Sequence, residues 1–474
     1  MAAKFGTSGL RGLATELTGS TSALYATAFA RYLLGNGLAK PGDMIAVAQD
    51  FRDSSPEIAS TVMGSLKREG LVPIDCGRIP TPALALYAMS RGAAAIMITG
   101  SHIPADRNGI KFYRPDGEIG KADETAITEL ATDLASDPVA TRVEEGSGDD
   151  HSAEAAALLF KRNSKILPAS ALSGLKIGVY QHSTVARETM VDIIRHYGAE
   201  AVALGWSDSF IPVDTEAVSP DTESLLLKWA GEHGLDAIIS ADGDGDRPLV
   251  ADESGRPMRG DLLGLIASRF LRAEVVVTPV TSNSGIDAAG GFEVVRTRVG
   301  SPFVIAAMSE ALGAGKGKVL GFEANGGLML ASDFSPEGRE IGPLPTRDSF
   351  LPALAVLGTA AARKMSLSEL AREYSLPVAA ADRLENFATE RSAALMAYLR
   401  GARDNLSAFL SPIGTVAEIS DIDGLRVTLG DRRVIHFRPS GNAPEMRCYV
   451  EAPTADEADA LLKQGLAAIA AWKP

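Results

Sequence analysis

Short apolar runs alternate with amphipathic segments along most of the chain. The run "RGAAAIMIT" (91–99) predicts a strand that is buried on both faces. The segment "MIAVAQDFRDSSPEIASTVMGSLKREGLVPIDCG" (44–77) has the order strand, polar turn, helix, glycine, strand. The segment "LKIGVYQHSTVARETMVDIIRHYGAEAVALGW" (175–206) repeats this order, with a helix expected from about Thr184. A looser third copy begins at "AEVVVTPVTSNSGI" (273–286). Strands and helices that alternate at this spacing predict parallel βαβ units.

Breaks in this pattern divide the chain. An acidic, apolar-poor stretch, "EEGSGDDHSAE" (144–154), is typical of a linker, and further breaks fall near residues 258 and 378. After the last break the pattern predicts a hairpin, another strand and a closing amphipathic helix. We therefore expect an α/β protein with three related α/β domains of βαβ units on mixed sheets, followed by a C-terminal α+β domain. Their expected bounds are 1–150, 165–257, 258–375 and 380–474.

Composition narrows the class of protein. A chain of 474 residues is too long for one core, and its 46% hydrophobic and 22% charged residues are typical of a globular protein. No apolar run has the length of a membrane span, and the first residues lack the apolar region of a signal peptide. Two distant cysteines, Cys76 and Cys448, match no metal-ligand spacing and are expected to be reduced thiols. We expect a cytoplasmic protein, as a monomer or weak homodimer.

Net charge bears on the partners. The formal net charge of −14 argues against a nucleic acid or an anionic membrane as partner. An acidic protein that handled phosphates would have to gather its basic residues locally, which is an expectation that a structure can test.

A polar cluster follows the first buried strand, in "ITGSHIPADRNGIKFYRPDGEIG" (98–120). It brings Ser101, His102 and Lys111 to the end of a core strand, where α/β proteins build their sites. No nucleophile elbow surrounds Ser101, and His102, as the next residue, is poorly placed to act as its triad base. A serine that accepts a phosphoryl group instead needs a metal ion and basic groups that hold the phosphate.

An acidic triplet follows another apolar strand, in "ISADGDGDRPLVADESG" (239–255). The carboxylates of Asp242, Asp244 and Asp246 would repel one another, and a divalent cation would relieve that repulsion. An EF-hand loop is excluded because Arg247 stands at its sixth position and a strand-like "PLVA" follows. A solvated acidic turn is the alternative to the site we favour, a Mg²⁺ site with room for a phosphate.

Three weaker segments carry anion-binding or hydroxyl-binding side chains. The stretch "KFGTSGLRGLA" (4–14) offers Thr7, Ser8 and Arg11 among glycines, and "GFEANGGLML" (321–330) places Glu323 and Asn325 after an apolar strand. The third, "RPSGNAPEMRCYVE" (438–451), sets hydroxyl, amide and guanidinium groups around a turn, which suits a phosphate. Its candidate residues are Arg438, Ser440, Asn442 and Arg447. An ordinary surface loop remains the alternative for each segment.

Taken together, "FGTSGLRG", "TGSHIPADRNGIKF", "DGDGDR", "GFEANGG" and "RPSGNAPEMRCYVE" occur in one order over nearly the whole chain. In this order they resemble the α-D-phosphohexomutase superfamily, and most closely its bacterial phosphomannomutase members. The resemblance implies three related α/β domains and a C-terminal α+β domain around a central cleft.

The resemblance also implies roles. It places the family's phosphoserine at Ser101, in "TGSHIP" where "TASHNP" is usual, and its metal ligands at Asp242, Asp244 and Asp246, completed by a phosphoserine oxygen. Arg11 lies beside the phosphoserine, Arg247 assists, and Lys111 or His102 moves the proton. The sugar loop keeps Glu323, with Asn325 in place of serine. The phosphate loop keeps Arg438 and Ser440, while Asn442 and Ala443 replace threonine and glutamate.

The implied activity is interconversion of mannose 6-phosphate and mannose 1-phosphate. It would proceed through phosphorylated Ser101 and a hexose 1,6-bisphosphate, which also serves as activator, with Mg²⁺ as cofactor. A phosphorylated hexose is the expected partner. Phosphoglucomutase activity, phosphoglucosamine mutase activity and a metal-dependent sugar phosphatase are the alternatives, and a non-catalytic sugar-phosphate sensor is a more distant one.

Overall fold

A computed structural model describes residues 3–6, 9–440 and 444–473. Helices and β-strands are distributed along the whole of this length. The chain divides into two compact units. The first contains the residues up to Val277 together with Gly300–Glu373, and the second contains Thr278–Val299 and Tyr374–Pro474. No helix among the described residues is both long and apolar enough to cross a membrane.

The first sheet of the first unit is mixed. Its strands are β1 (Lys4–Phe5), β2 (Leu10–Leu13), β3 (Met44–Gln49), β4 (Val72–Asp75), β5 (Ala94–Ile98), β6 (Arg107–Arg114), β7 (Gly117–Glu118) and β8 (Asp149–Asp150). The path runs β1-β2-β6-β5-β3-β4-β8, with β7 paired to β6. Strands β3, β4 and β5 are parallel, as predicted, whereas β6 is antiparallel to β5. The helices are α1 (Ala14–Leu17), α2 (Ser20–Gly35), α3 (Ser55–Arg68), α4 (Thr81–Met89) and α5 (Lys121–Leu134).

The stretch predicted as a linker, 144–154, is partly ordered secondary structure. Its residues Asp149–Asp150 form β8, which pairs with β4 at the edge of the first sheet, and helix α6 (Ser152–Asn163) begins inside it. The hydrophobic pattern did not predict this strand because both of its residues are exposed. An edge strand of this kind is held by backbone hydrogen bonds alone and needs no apolar side chains.

The second sheet carries the acidic triplet. Its strands are β9 (Lys176–His182), β10 (Glu200–Trp206), β11 (Ala237–Ala241) and β12 (Pro248–Ala251), in the order β10-β9-β11-β12. Strands β9, β10 and β11 are parallel, and β12 returns antiparallel to β11. Helices α7 (Arg187–His196) and α8 (Pro220–His233) belong to it. Helix α7 begins three residues later than predicted, because the Val185 amide bonds to the Gly243 carbonyl of the acidic loop, 3.1 Å away.

The next segment holds β13 (Val275–Pro279), β14 (Glu293–Thr297), β15 (Val319–Phe322), β16 (Leu328–Leu330) and β17 (Leu344–Asp348). In the first unit, β13 is parallel to β15, and β15, β16 and β17 follow antiparallel. The helices are α9 (Gly260–Leu271), α10 (Gly285–Ala288), α11 (Ser301–Gly313), α12 (Phe350–Arg363) and α13 (Leu367–Glu373), with a 3₁₀ turn at Pro336–Gly338. Of these, α10 and β14 lie in the second unit.

The second unit is an antiparallel sheet with helices, as the sequence predicts for its C-terminal part. Its strands are β18 (Val378–Leu384), β19 (Val416–Ser420), β20 (Leu425–Leu429), β21 (Val434–Pro439) and β22 (Met446–Ala452), in the order β18-β22-β21-β20-β19. Helices α14 (Thr389–Gly401), α15 (Arg403–Leu410) and α16 (Ala455–Ala471) supply apolar residues to the same core as the strands.

The carboxyl ends of three buried strands position the candidate residues of the first unit. Ser101 follows β5, the acidic loop follows β11, and Glu323 follows β15 directly. Each of these strands has a parallel neighbour, and loops at the carboxyl ends of parallel strands are where α/β sheets place their ligands.

Candidate active site

Ser101 lies in a strained turn at the end of β5. Its φ of 55° is in the left-handed region, which residues other than glycine rarely adopt. The Ser101 hydroxyl donates to Asp242 Oδ2 and lies 3.2 Å from His102 Nδ1. His102, which was predicted to be poorly placed as a triad base, is thus within hydrogen-bond distance of the hydroxyl at a left-handed turn.

An arginine that sequence reasoning missed holds this turn. Arg52, which follows β3 and is 1% exposed, pairs with Asp50 at 3.2 Å. Its guanidinium also donates to four backbone oxygens, those of Ser101 (3.0 Å), Ile103 (2.6 Å), Pro104 (2.7 Å) and Arg107 (2.8 Å). Asp50 in turn accepts from the Thr99 hydroxyl, which accepts from the Ser101 amide. The backbone of Ser101 is thus fixed from both sides.

The same arginine explains a departure from the family motif. A Cβ atom on Gly100 would lie 2.5 Å from Arg52 Cζ, so the alanine that is usual at this position would collide with the guanidinium. The polar segment "QDFRDSS" after a buried strand was the available signal for Arg52, but it has the composition of an ordinary turn.

The acidic triplet converges in the β11–β12 loop. One carboxylate oxygen from each of Asp242, Asp244 and Asp246 lies within 4.8 Å of the others, and all three residues are fully buried. This separation is compatible with three ligands around one cation.

Asp242 accepts hydrogen bonds through both oxygens, whereas Asp244 and Asp246 accept through one oxygen each. Asp242 Oδ1 accepts from the amides of Asp246 and Arg247, both at 3.1 Å. Asp244 Oδ2 accepts from the Thr81 hydroxyl at 2.6 Å, and Lys111 Nζ lies 2.5 Å from Oδ2 of both Asp244 and Asp246. The second oxygens of Asp244 and Asp246 are buried and have no hydrogen-bond partner.

These unpartnered oxygens fit a hard divalent cation. An unsatisfied buried carboxylate oxygen is costly, and a bound cation would satisfy it. Burial and the neighbouring charges of Asp244 and Asp246 raise the pKa of Asp242 to about 8. Burial also acts to raise the pKa of Asp246, but the charges of Arg347, Lys111 and Arg247 outweigh it and hold that pKa below its usual range. The triplet therefore carries the charge conflict from which the cation site was predicted.

Basic residues gather around Ser101, which is the local concentration expected if this acidic protein handles phosphates. Arg11 donates to the Gly100 carbonyl, and Arg247 Nη1 donates to His102 Nδ1 at 3.0 Å. Burial, together with the charge of Arg247, lowers the pKa of Arg11 to about 10. Burial and the same arginines lower the pKa of His102 to about 2, so its imidazole is neutral. Thr7 and Ser8, which accompany Arg11 in the predicted anion loop, lie outside the described residues.

The sugar-loop candidates are joined to the acidic loop by a second arginine that sequence reasoning missed. Glu323 and Asn325 follow β15 and are nearly buried. Arg347, at the end of β17, donates from Nη1 to Glu323 Oε2 and from Nε to Asp246 Oδ2, each at 3.0 Å. The triplet "TRD" of β17 carries no sign of this role, because only the tertiary fold brings β17 beside both loops.

The phosphate-loop candidates lie in the second unit. Arg438 on β21 and Arg447 on β22 are register partners, so their side chains share one face of the sheet. Arg438 Nε lies 3.0 Å from Asp423 Oδ1, and Arg447 Nη2 lies 2.9 Å from Glu445 Oε1. The Ser440 amide donates to the Glu445 carbonyl. Asn442 lies outside the described residues.

Comparison with known proteins identifies relatives of this chain. Three family models match, described as phosphoglucomutase/phosphomannomutase α/β/α domain I (residues 2–137), α/β/α domain III (259–376) and C-terminal domain (383–468). A phosphomannomutase of Sinorhizobium fredii is 59% identical over 99% of both chains. A phosphomannomutase of Salmonella muenchen is 40% identical over 96% of this chain and 93% of its own.

A solved structure agrees in fold. The crystal structure of a phosphoglucomutase/phosphomannomutase family protein from Burkholderia thailandensis superposes with a TM-score of 0.77 at 21% identity, over 98% of this chain and 97% of its own. The arrangement of mixed α/β sheets is therefore that of the family. The chain belongs to the phosphoglucomutase/phosphomannomutase family and is a phosphohexomutase of the isomerase class.

Proposed function

We propose that this phosphohexomutase interconverts mannose 6-phosphate and mannose 1-phosphate through phosphorylated Ser101. The observation that carries the proposal is the meeting of the Ser101 hydroxyl with Asp242, beside two aspartates whose free oxygens fit a cation. The choice of mannose is supported by the names of the 59% and 40% identical relatives.

The proposed reaction consists of two phosphoryl transfers, each accompanied by a proton transfer. The free hydroxyl of a hexose monophosphate attacks the phosphoryl group of phosphoserine 101, the bond from phosphorus to the serine oxygen breaks, and a hexose 1,6-bisphosphate forms. The proton of the attacking hydroxyl passes to the serine oxygen through Lys111 or His102, whose Nδ1 lies 3.2 Å from it. The reverse transfer from the other end of the bisphosphate restores phosphoserine and releases the isomer.

Fixed charges would stabilise the transfer. Asp242, Asp244, Asp246 and a phosphoserine oxygen would hold Mg²⁺, which neutralises the charge of the transferring group when bound. Arg11 and Arg247 present guanidinium groups to the same phosphoryl oxygens. A hexose 1,6-bisphosphate would act as activator, because it can rephosphorylate a discharged Ser101.

Substrate binding would use the other candidates. Glu323 and Asn325 would accept and donate hydrogen bonds to sugar hydroxyls, and the non-reacting phosphate would bind Arg438, Ser440, Asn442 and Arg447. We place these functions in four domains, 1–150, 165–257, 258–375 and 380–474. We propose a monomer or weak homodimer that works in the cytoplasm, where its two free cysteines would remain reduced.

A comparison of three substrates tests the proposal. Purified protein with Mg²⁺ and a trace of hexose 1,6-bisphosphate is assayed on the 1-phosphates of mannose, glucose and glucosamine, with release of inorganic phosphate measured in parallel. We expect the highest kcat/KM with mannose 1-phosphate and conserved phosphate. Stoichiometric phosphate release would indicate a phosphatase, and a preference for another sugar would refute the choice of mannose.

Ser101→Ala tests the nucleophile. We expect turnover to fall by orders of magnitude with the fold intact, and the single phosphate seen in the intact mass of the wild-type protein to be absent. Near-normal activity of Ser101→Ala would exclude the phosphoserine mechanism.

A further inference from the structure

We infer that Arg347 is a positioning residue. Its guanidinium orients both the Glu323 carboxylate, which would bind sugar hydroxyls, and the Asp246 carboxylate, which would bind the metal. The inference rests on the proposed function of Glu323 and Asp246. Arg347 is 2% exposed, and its guanidinium donates to Asp246 Oδ2, Glu323 Oε2 and Ser301 Oγ, each at 3.0 Å. One rigid group therefore contacts both loops.

Toward the acidic loop, Arg347 decides which oxygen of Asp246 is available. Arg347 Nε and Lys111 Nζ both donate to Oδ2, so Oδ1 is left without a hydrogen-bond partner, with Arg247 Nε 3.8 Å away from it. Groups that fix the orientation of a ligand in this way commonly change metal affinity about 10- to 100-fold when removed. Without Arg347, the Asp246 carboxylate loses one of the two donors that hold Oδ2, and its orientation is fixed less firmly.

Toward the sugar loop, Arg347 is the strong anchor of Glu323. A second contact of the Glu323 carboxylate, from Asn325 Nδ2, is long at 3.5 Å, whereas the Arg347 bond is charge-assisted and 3.0 Å. Asn325 is itself held by the Gly327 amide, which donates to its Oδ1 at 3.0 Å. The direction in which Glu323 presents its carboxylate to a sugar is thus set largely by Arg347.

The residues around position 347 fit an arginine better than a lysine. Ser301, which accepts from Arg347, donates to Glu118 Oε1 at 2.9 Å and so extends the network. A Cβ atom on Gly327 would lie 2.7 Å from Arg347 Cδ, so the second glycine of "NGG" makes room for the stem. A lysine would keep the charge, but its single ammonium cannot reproduce the planar fork that reaches three acceptors.

Arg347→Lys, compared with Arg68→Lys, tests the inference. Arg68 is a 9% exposed arginine of the same unit that donates to Thr27 Oγ1 and the Arg142 carbonyl, on helix α3 and outside the proposed machinery. The measurements are Mg²⁺ binding by calorimetry, with the metal alone, and kcat and KM for mannose and glucose 1-phosphates. We expect Arg347→Lys to weaken Mg²⁺ binding about tenfold, to raise KM, and to reduce the preference between the two sugars. Arg68→Lys should leave all of these within about twofold of the wild type.

A result in which both lysine variants lose similar stability while Mg²⁺ affinity, KM and sugar preference stay within twofold would overturn the inference. Gly327→Ala provides a second test if Arg347→Lys does not fold, since its Cβ must displace Arg347 while leaving every charge in place. It should reproduce the same pattern, and wild-type values would overturn the inference. The calorimetric measurement needs no turnover, so a wild-type protein inactive on hexose phosphates would contradict the proposed function without deciding the role of Arg347.

A second, independent observation concerns the second unit. We propose that Arg383 is a third guanidinium of the phosphate site. Arg383 on β18 is the register partner of Arg447, which is the register partner of Arg438, so three arginines stand in a row on adjacent strands. Like charges directly opposite across strands are destabilising, so the row requires counter-anions, which carboxylates supply in this structure and which a bound phosphate would replace in part.

Carboxylates neutralise this row. Glu445 contacts both Arg447 (2.9 Å) and Arg383 (3.4 Å), and Asp423 contacts Arg438. Arg383 also lies 3.2 Å from Glu385, and its side chain is 53% exposed. An exposed guanidinium beside a proposed phosphate ligand can exchange a carboxylate partner for a phosphate oxygen, which offers bidentate geometry.

Arg383→Ala tests this role, with Arg403→Ala as the control. Arg403 is an arginine of the same unit on α15 that donates to backbone oxygens of β19. We expect Arg383→Ala to raise KM for mannose 1-phosphate about three- to tenfold with kcat little changed, and to raise the inhibition constant of inorganic phosphate in the same proportion. If both constants stay at the control values while Arg447→Ala raises them, Arg383 is not part of the phosphate site.

Discussion

Replacing Arg52 should show that the Ser101 turn is held by one buried charge. Arg52→Met removes the guanidinium and leaves Asp50, which is fully buried, without its cationic partner. Breaking a buried ion pair from one side costs about 3–5 kcal/mol. The four backbone oxygens that accept from Arg52 also lose a charged donor, although water can replace part of that contribution. We expect a loss of about 4 kcal/mol in the free energy of unfolding.

The position of the damage is as informative as its size. Urea unfolding measures the loss, and hydrogen exchange of peptides from the 98–108 turn measures its location. Exchange should accelerate in that turn more than in strands β3 and β5, and mutase activity should fall with it because Ser101 is no longer held beside Asp242. A destabilisation below about 1 kcal/mol, or exchange unchanged in the turn, would refute the reasoning.

A paired substitution separates the unpaired charge from lost packing. In Asp50→Asn/Arg52→Met no buried charge is left alone, so the double variant should be more stable than the sum of the single losses predicts. Burial already raises the pKa of Asp50 in the wild type, and loss of Arg52 raises it further. A carboxyl group with a raised folded-state pKa favours folding at low pH, so Arg52→Met should be less destabilised at pH 5 than at pH 8.

Three further predictions follow from the geometry. Asp244→Asn should abolish Mg²⁺-dependent activity, measured by metal titration, whereas an unchanged rate of the wild type in EDTA would contradict the cation site. Arg438→Ala or Arg447→Ala should raise KM for mannose 1-phosphate about 10- to 100-fold and lower kcat less, and an unchanged KM in both would exclude this loop as the phosphate site. Burial raises the pKa of both Cys76 and Cys448 to about 12, so a thiol reagent at pH 8 should modify neither until urea unfolds the protein; rapid modification of the native protein would contradict their burial.

The sequence predicted the elements of this fold because its signals are local. Buried strands such as "AAIMI" are apolar throughout and end in polar loops, and this pattern is set by burial on both faces of a parallel sheet. For the same reason it located Ser101, Asp242 and Glu323, each just after such a strand. The start of helix α7 was missed by three residues because a tertiary bond to the acidic loop, not a capping residue, determines it.

The two buried arginines could not be found in this way. Arg52 follows a strand within an ordinary polar turn, and Arg347 lies in a strand of mixed composition. Their importance depends on partners that the tertiary fold brings near: backbone oxygens 49 to 55 residues away for Arg52, and carboxylates 24 and 101 residues away for Arg347. The sequence feature most directly connected with the two arginines is a pair of glycines. Gly100 has no side chain that would collide with Arg52, and Gly327 has none that would collide with Arg347.

Charge balance explains why the site can be buried. Around Ser101 and Glu323 the fold collects the cations Arg11, Arg52, Lys111, Arg247 and Arg347, and the anions Asp50, Asp242, Asp244, Asp246 and Glu323. The two sets are equal in number and cancel when Asp242, whose pKa is raised to about 8, is ionised; an uncompensated buried charge would cost several kcal/mol. A phosphate on Ser101 would add about two negative charges, and a divalent cation would add two positive charges beside it. Neither addition alone preserves neutrality, so in the proposed mechanism each stabilises the other, and the acidic triplet would bind its metal most strongly when Ser101 is phosphorylated.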